Sequence, residues 1–443
     1  MGKTKVALLT LSNLRGASSV LDPFGGLIFF SAPLSVEFFL LSLRGICACY
    51  YVGRTTKSMK RSITIGFDAR YAITDHEEFG AYSRLVIEAL ATAAPRHTYI
   101  RSYIPLRAPH TAYEHLERLH NIETMEPDGA LWRKLRLPWR TWRIGHDLHN
   151  GNVELYHGLA EYIPVGLDKR NIRSVVTIHN MEFLYDNTFA NSPEHLLTRI
   201  YMGRMLHRVD RIVAVSECVK RDITSHFRIY PEKVDVVYPG VAKHFTAELD
   251  DEYLATVREK FGLPTRYILS VGTHLERRSY IKVINALRHL DNDIHFVIVG
   301  RTTWHTTRLK RAAQELGVGD RLHIIEQVAE EDMPALYRHA SAVINLSRYE
   351  GFATHIAEAM SVGTPVITTR SSSMEEVAGN AAMYINPNNR EELVNAIKQL
   401  IEDGELRDEL ITLGHRQATR FRPEVVAYNL VNCYRRLDVD IRG

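Results

Sequence analysis

Residues 341–369 read SAVINLSRYEGFATHIAEAMSVGTPVITT. The stretch opens on a short apolar run through Val343 and Ile344, bounded by a polar loop, which predicts a strand. A tight loop through Glu350 and Gly351 follows. Apolar residues then recur with helical spacing over 355–361, and Gly363 supplies a C-terminal stop. TPVITT (364–369) is a second strand. Two strands joined by a crossover helix run parallel.

The same alternation continues on both sides. Upstream it predicts strands at 63–67, 97–104, 153–158, 174–180, 211–216 and 234–240, with helices around 82–91 and 195–208. Pro239-Gly240 interrupts the pattern. A second set has strands at 267–273, 294–300, 321–326 and 341–347, with helices near 280–290, 307–316 and 331–340. Val- and Ile-rich strands with little alternation belong in sheets covered on both faces. The expectation is an α/β protein with two doubly wound, Rossmann-like domains at 59–240 and 241–422. An amphipathic helix closes the chain within 423–443. Ligands of such domains bind beyond the carboxyl ends of the strands, and two domains leave a cleft between them.

Composition narrows the partners. The chain has 443 residues and a formal net charge of +3. That bias is too weak to argue for nucleic acid, but it is compatible with anionic small molecules and with peripheral contact at an anionic membrane surface. Four cysteines, Cys47, Cys49, Cys218 and Cys433, form no disulfide or zinc spacing and read as reduced thiols of a cytoplasmic protein. Residues 27–52 are apolar in patches, but Pro33, Glu37 and Arg44 interrupt a membrane span. Residues 1–58 therefore read as an extension outside the enzyme, disordered or lying upstream of a working start near Met59.

The chemistry gathers around Glu350. A helix starting near 353–355 presents free N–H groups and a partial positive charge, so it can hold phosphate without a basic side chain. Gly351 reads as a residue needed for unusual backbone angles. Glu350 stands before that anion site and Glu358 inside the helix. A carboxylate accepts two hydroxyl hydrogen bonds, which suits a sugar diol. By spacing alone, the two acids could equally be solvated residues flanking a helix.

The segment Glu350-Gly351-Phe352 … Glu358-Ala359-Met360 … Gly363-Thr364-Pro365-Val366 resembles the E-x7-E signature of retaining glycosyltransferases of family 4, usually E-G-F-G-L-P-x-x-E-A-M-A-x-G-T-P-V. It departs at Ala353, Thr354 and His355, where the family prefers Gly, Leu and Pro. Val271-Gly-Thr273-His-Leu-Glu-Arg277-Arg278 resembles the family's V-G-T-L-E-P-R-K, with Arg278 in the place of Lys. Ile65 to Arg70 and Glu78-Phe79-Gly80-Ala81-Tyr82 resemble its opening I-G-I-D-A-R … G-I-G-R-Y. His179-Asn180 stands where H-D is common. The resemblance covers about residues 62–437.

It implies the GT-B fold, with the C-terminal helix crossing back to the N-terminal domain. It also implies transfer of a hexose-type sugar from a nucleotide-sugar donor to a glycan or lipid-linked acceptor, with retention of configuration and no metal or other cofactor. The donor site implied comprises Gly80, Thr273, Arg277, Arg278, Gly351, Phe352, Ala353, Thr354 and Glu358. Glu350, His179, Arg277 and Arg278 are the implied catalytic groups. The rival readings are a sugar-nucleotide epimerase of the same architecture and a non-catalytic nucleotide-sugar binding protein.

Overall fold

The computed structural model describes residues 19–21, 27–29, 63–74, 78–93, 98–104, 111–185 and 192–437. Residues 19–21 and 27–29 pair as a short antiparallel ribbon in a unit of their own. The expectation for residues 1–58, with Cys47 and Cys49, otherwise lies outside the described residues.

Arg61–Ile441 form one unit built on two sheets. The first takes β1 (Ile63–Asp68), β2 (Thr98–Tyr103), β3 (Ile122–Met125), β4 (Leu155–Gly158), β5 (Arg173–Ile178), β6 (Arg211–Ala214) and β7 (Val234–Val236) in the order 3-2-1-4-5-6-7. The second takes β8 (Arg266–Val271), β9 (Ile294–Val299), β10 (Leu322–Ile325), β11 (Ala342–Asn345), β12 (Val366–Thr368) and β13 (Ala382–Tyr384). Its order is 10-9-8-11-12-13, so both sheets repeat the doubly wound arrangement. Their strand pairings are parallel throughout. Strands β4 and β11 are buried along their whole length, as sheets with two covered faces require.

Helix ends follow local chemistry. The Ser216 hydroxyl accepts from Val219 N–H at the start of Glu217–Phe227, and Thr303 forms a capping box before Trp304–Glu315. Gly363 takes φ 86° and ends the helix Thr354–Val362, as its sequence suggests. Strands β3 and β13 escape the sequence pattern because they are short; the helices at 390–402 and 404–418 escape it too, although Leu393, Val394, Ala396, Ile397 and Leu400 recur at helical spacing and are buried.

The helix Pro423–Arg435 packs on the helix Glu78–Ala93 of the first half. The Tyr434 hydroxyl meets His157 Nδ1 at 2.7 Å in the core beneath β4. Just upstream, Phe421 O accepts from Val241 N–H at 2.8 Å. The Phe421 ring is fully buried against Tyr238 and Phe352, one from each half. The chain thus crosses back to its first domain, and apolar burial holds the crossing.

Candidate active site

Each sheet has its switch point where strand order reverses, at β1/β4 and β8/β11, and a cavity of about 1430 Å³ lies between the two halves. Tyr82, Arg84 and His179 line it from the first half; Thr273, Arg278, Glu350, His355 and Glu358 line it from the second. The volume exceeds that of a typical single-ligand pocket, so it has room for two reactants.

Two loops build the C-terminal wall. After β8, Gly272 takes φ 134°, and a Cβ there would lie 2.6 Å from Arg278 Cζ. Glycine lets the guanidinium fold back over the strand end. After β11 the chain reaches Glu350, held at both backbone ends: its N–H donates to Ser372 Oγ at 2.9 Å, and its carbonyl accepts from Ser373 Oγ at 2.9 Å.

Glu350 binds both arginines. Arg278 Nη1 donates to Oε1 at 2.5 Å, and Arg277 Nη1 stands 3.3 Å from Oε2. Burial alone would raise the Glu350 carboxyl. The Arg278 and Arg277 charges outweigh that and hold it below its ordinary value. The two arginines have separate placements. Arg278 reaches the cavity wall; Arg277 lies behind it, its Nε 2.8 Å from Glu182 Oε1 of the first half. Both arginines share Glu350, and the adjacent basic pair is split because Glu182 of the first half takes Arg277.

The helix Thr354–Val362 begins at the cavity, and Ala353 gives it no side-chain cap. Of its leading N–H groups, those of Thr354 and Ile356 already donate to Phe352 O and Ala353 O, both at 2.9 Å, so what the helix end turns toward the cavity is chiefly its partial positive charge. His355, on its first turn, is buried with Nε2 lacking a hydrogen-bond partner. Burial and the Arg278 charge push this imidazole down to about 3, so it is neutral. Further along, Glu358 Oε2 accepts from the Tyr337 hydroxyl at 2.7 Å, and Glu358 still faces the cavity.

Gly351 corrects the sequence reading. Its φ is not positive; the need is space, since a Cβ would stand 1.7 Å from His179 O. Its own carbonyl accepts from Ser216 Oγ at 2.7 Å. The Glu-Gly step is thus where the second half closes onto the first. Gly80 and Ala353 are buried just behind the wall, Gly80 inside the first turn of its helix, and Phe352 and Thr354 reach the cavity.

From the first half, His179 Nε2 donates to Leu159 O at 2.7 Å, and its ring is wedged edge-on against Phe79 and Tyr82. Burial pushes it down to about 4, which leaves a neutral, oriented ring at the cavity. The N–H groups of His179 and Asn180 both donate to Glu161 Oε1 at 3.1 Å. Glu161 itself holds φ 50°, a strained angle for a non-glycine residue. Arg84 pairs with Glu330 across the cleft.

Sequence reasoning missed Arg84, Glu161, Glu182, Ser372 and Ser373. Arg84 lies one helical turn beyond Gly80, a spacing that places both on one face. The others carry no local signal, because their roles come from loops distant in sequence. Among the described residues, no three His, Cys, Asp or Glu side chains cluster as a metal site.

Two Rossmann-like domains facing a shared cleft, with charged and polar groups at the switch point of the second, define the GT-B architecture of glycosyltransferases. Residues 86–244 match the family model described as Glycosyltransferase Family 4, and residues 256–417 match that of Glycosyl transferases group 1. The chain belongs to glycosyltransferase family 4 and is a glycosyltransferase. It is 26% identical over 293 residues to O-antigen chain mannosyltransferase B of Escherichia coli, covering 64% of this chain and 74% of that protein. O-antigen chain mannosyltransferase RfbU of Salmonella typhimurium is 25% identical over 227 residues, 51% of this chain and 60% of its own length. In fold, the chain is similar to Anabaena HepE in complex with UDP and glucose, with TM-score 0.65 and 17% identity over 84% of this chain and 100% of that one.

Proposed function

We propose that the cleft transfers a hexose-type sugar from a nucleoside-diphosphate donor to an acceptor hydroxyl, with retention of configuration and without a divalent metal. The observation that carries this reading is the buried Arg278–Glu350 pair beside the uncapped helix N-terminus. Breaking the glycosidic bond leaves negative charge on the diphosphate and positive charge on the sugar. Arg278 and the positive end of the helix dipole stabilise the first by fixed electrostatics. Glu350, ionised and locked in place, stabilises the second and holds a sugar hydroxyl. Glu358 takes the nucleotide ribose, and neutral His179 approaches the transferred sugar from the acceptor side. Arg277 positions Glu350 and ties it to Glu182.

In the retaining step, the departing diphosphate oxygen accepts the acceptor proton while the acceptor oxygen bonds to the anomeric carbon on the same face. The side chains supply no nucleophile to this step. The acceptor is a growing surface glycan on a carrier, a reading supported by the names of the O-antigen relatives.

The test uses labelled nucleoside-diphosphate mannose and UDP-glucose with Arg277→Ala, Arg278→Ala and Arg278→Lys variants. Charge builds on the leaving group in the transition state, so Arg278→Ala lowers kcat as well as raising KM for donor. Lysine restores a cation and keeps much of the activity. Chelator leaves turnover unchanged. Near-normal kcat/KM in both alanine variants removes the pair from the site; isomerised or unaltered donor points to the epimerase or binding-protein readings.

A further inference from the structure

The segment AlaLeuTrpArgLysLeuArgLeuProTrpArgThrTrpArg (130–143) plays no part in the cleft chemistry, yet its surface is unusual. Between Gly129 and His146 it carries five cationic side chains and no carboxylate, and of the five Arg143 pairs with Asp147 just beyond, at 3.3 Å. Leu131, Leu137 and Trp142 are each more than 60% exposed, and Leu135 is 42% exposed. Single exposed leucines need no explanation, but apolar side chains interleaved with cations on one short surface do.

The segment is firmly seated from beneath. Trp139 is buried, and its Nε1 donates to Asp147 Oδ2 at 2.8 Å. Ile144 and Leu148 anchor the helix that follows, Ile144–Asn150. The outward leucines are therefore not waiting to fold inward. Arg133, Lys134 and Arg136 are exposed beside them.

The surface continues. Val165, also exposed, donates its N–H to Thr141 O at 3.0 Å. Arg208 ties this same loop to the helix Pro193–Arg208 through Pro164 O at 2.9 Å. That helix exposes Leu196, Leu197 and Ile200 beside Arg199. These segments leave the carboxyl ends of β3, β4 and β5, the sheet side on which the cleft opens.

We propose that this face seats the protein on an anionic lipid bilayer, with Leu131, Leu135, Leu137 and Trp142 entering the headgroup region. Interleaved Trp, Leu and Arg is the chemistry of an interfacial segment: the apolar groups partition into the acyl boundary and the cations meet anionic headgroups. Charge complementarity selects this occupant. A second copy would bring the same cations against one another, and a neutral glycan would leave them unpaired. Among the described residues no helix is long and apolar enough to cross a membrane, so this contact lies on the surface.

Co-sedimentation of the full chain with vesicles tests the docking without reference to turnover. Vesicles of mixed phosphatidylglycerol and phosphatidylcholine are compared with phosphatidylcholine alone, and salt is varied. Binding to the anionic vesicles, weakened by salt, is expected. Each basic side chain near such a surface multiplies partitioning about fivefold, so the triple change Arg133→Gln, Lys134→Gln, Arg136→Gln lowers it about a hundredfold. Trp142 fluorescence shifts to the blue on binding, and Trp142→Phe removes that shift. A far-ultraviolet spectrum and melting curve like wild type show that the variants fold. Equal binding by the triple variant, or no preference for anionic vesicles, overturns the proposal. So does a dimer in solution that the triple variant abolishes, which would assign the face to a second copy.

Discussion

Replacing Glu350 by Gln keeps the side chain's shape and removes its charge, which leaves two buried cations facing one neutral amide. Glu350 is 5% exposed and Arg278 is 9% exposed. Deleting one partner of a buried ion pair costs about 3–5 kcal/mol when the other charge is stranded. Two features reduce the loss. Arg277 keeps Glu182, and Arg278 borders a cavity that water enters. A destabilisation of about 2–3 kcal/mol follows. The same stranded charge makes a second, opposite forecast. In the wild type, Glu350 competes with any anion for Arg278. Without that competitor, one charge-assisted hydrogen bond, about 1.5–3 kcal/mol, becomes available to the anion, so pyrophosphate binds about tenfold tighter to Glu350→Gln. Turnover falls, because the developing charge on the sugar loses its partner. The assays are urea unfolding for stability and calorimetric titration with pyrophosphate. A double-mutant cycle with Arg278→Met isolates the pair. Effects that add to within about 0.5 kcal/mol, or pyrophosphate binding weakened in Glu350→Gln, would refute the reasoning.

Glu358→Gln should weaken nucleotide-sugar binding roughly ten- to hundredfold with the fold intact, since the Tyr337 hydroxyl can still donate to the amide oxygen; calorimetry reads the change. Gly351→Ala sets a methyl against His179 O, so a lower melting temperature and a large loss of turnover are expected; wild-type values in both would show that the two halves do not close at this step. His157, His179 and His355 are held neutral, with pKa values pushed down to about 3, about 4 and about 3, largely by burial. The unfolded chain binds protons on these groups from about pH 6.5 downward and the folded chain does not. Stability is therefore full above that value and falls by up to about 1.4 kcal/mol per histidine per pH unit below it. The Glu350 pair is lost only at lower pH, below the ordinary carboxylate value, so denaturation midpoints that stay flat between pH 7 and 5 would contradict the histidine assignment.

What the sequence determined by itself is everything that local pattern encodes. Apolar runs of strand length alternating with helical spacing specify parallel sheets, and the break at Pro239-Gly240 divides them into two sets. Gly363 ends its helix through a backbone angle that only a few residues tolerate, so it was legible from one position. The spacing of Glu350 and Glu358 placed one acid before a helix and one within it, and the cavity wall contains both. Pairwise geometry was beyond its reach. Arg277 and Arg278 are neighbours in sequence and similar in chemistry, yet one reaches the cavity and the other bridges Glu350 to Glu182. That division depends on a carboxylate 95 residues away, and no local propensity encodes such a meeting. Gly351 shows the same limit. A glycine can answer a demand for backbone angle or a demand for space, and only the approach of His179 O, set by packing of the two halves, decides between them.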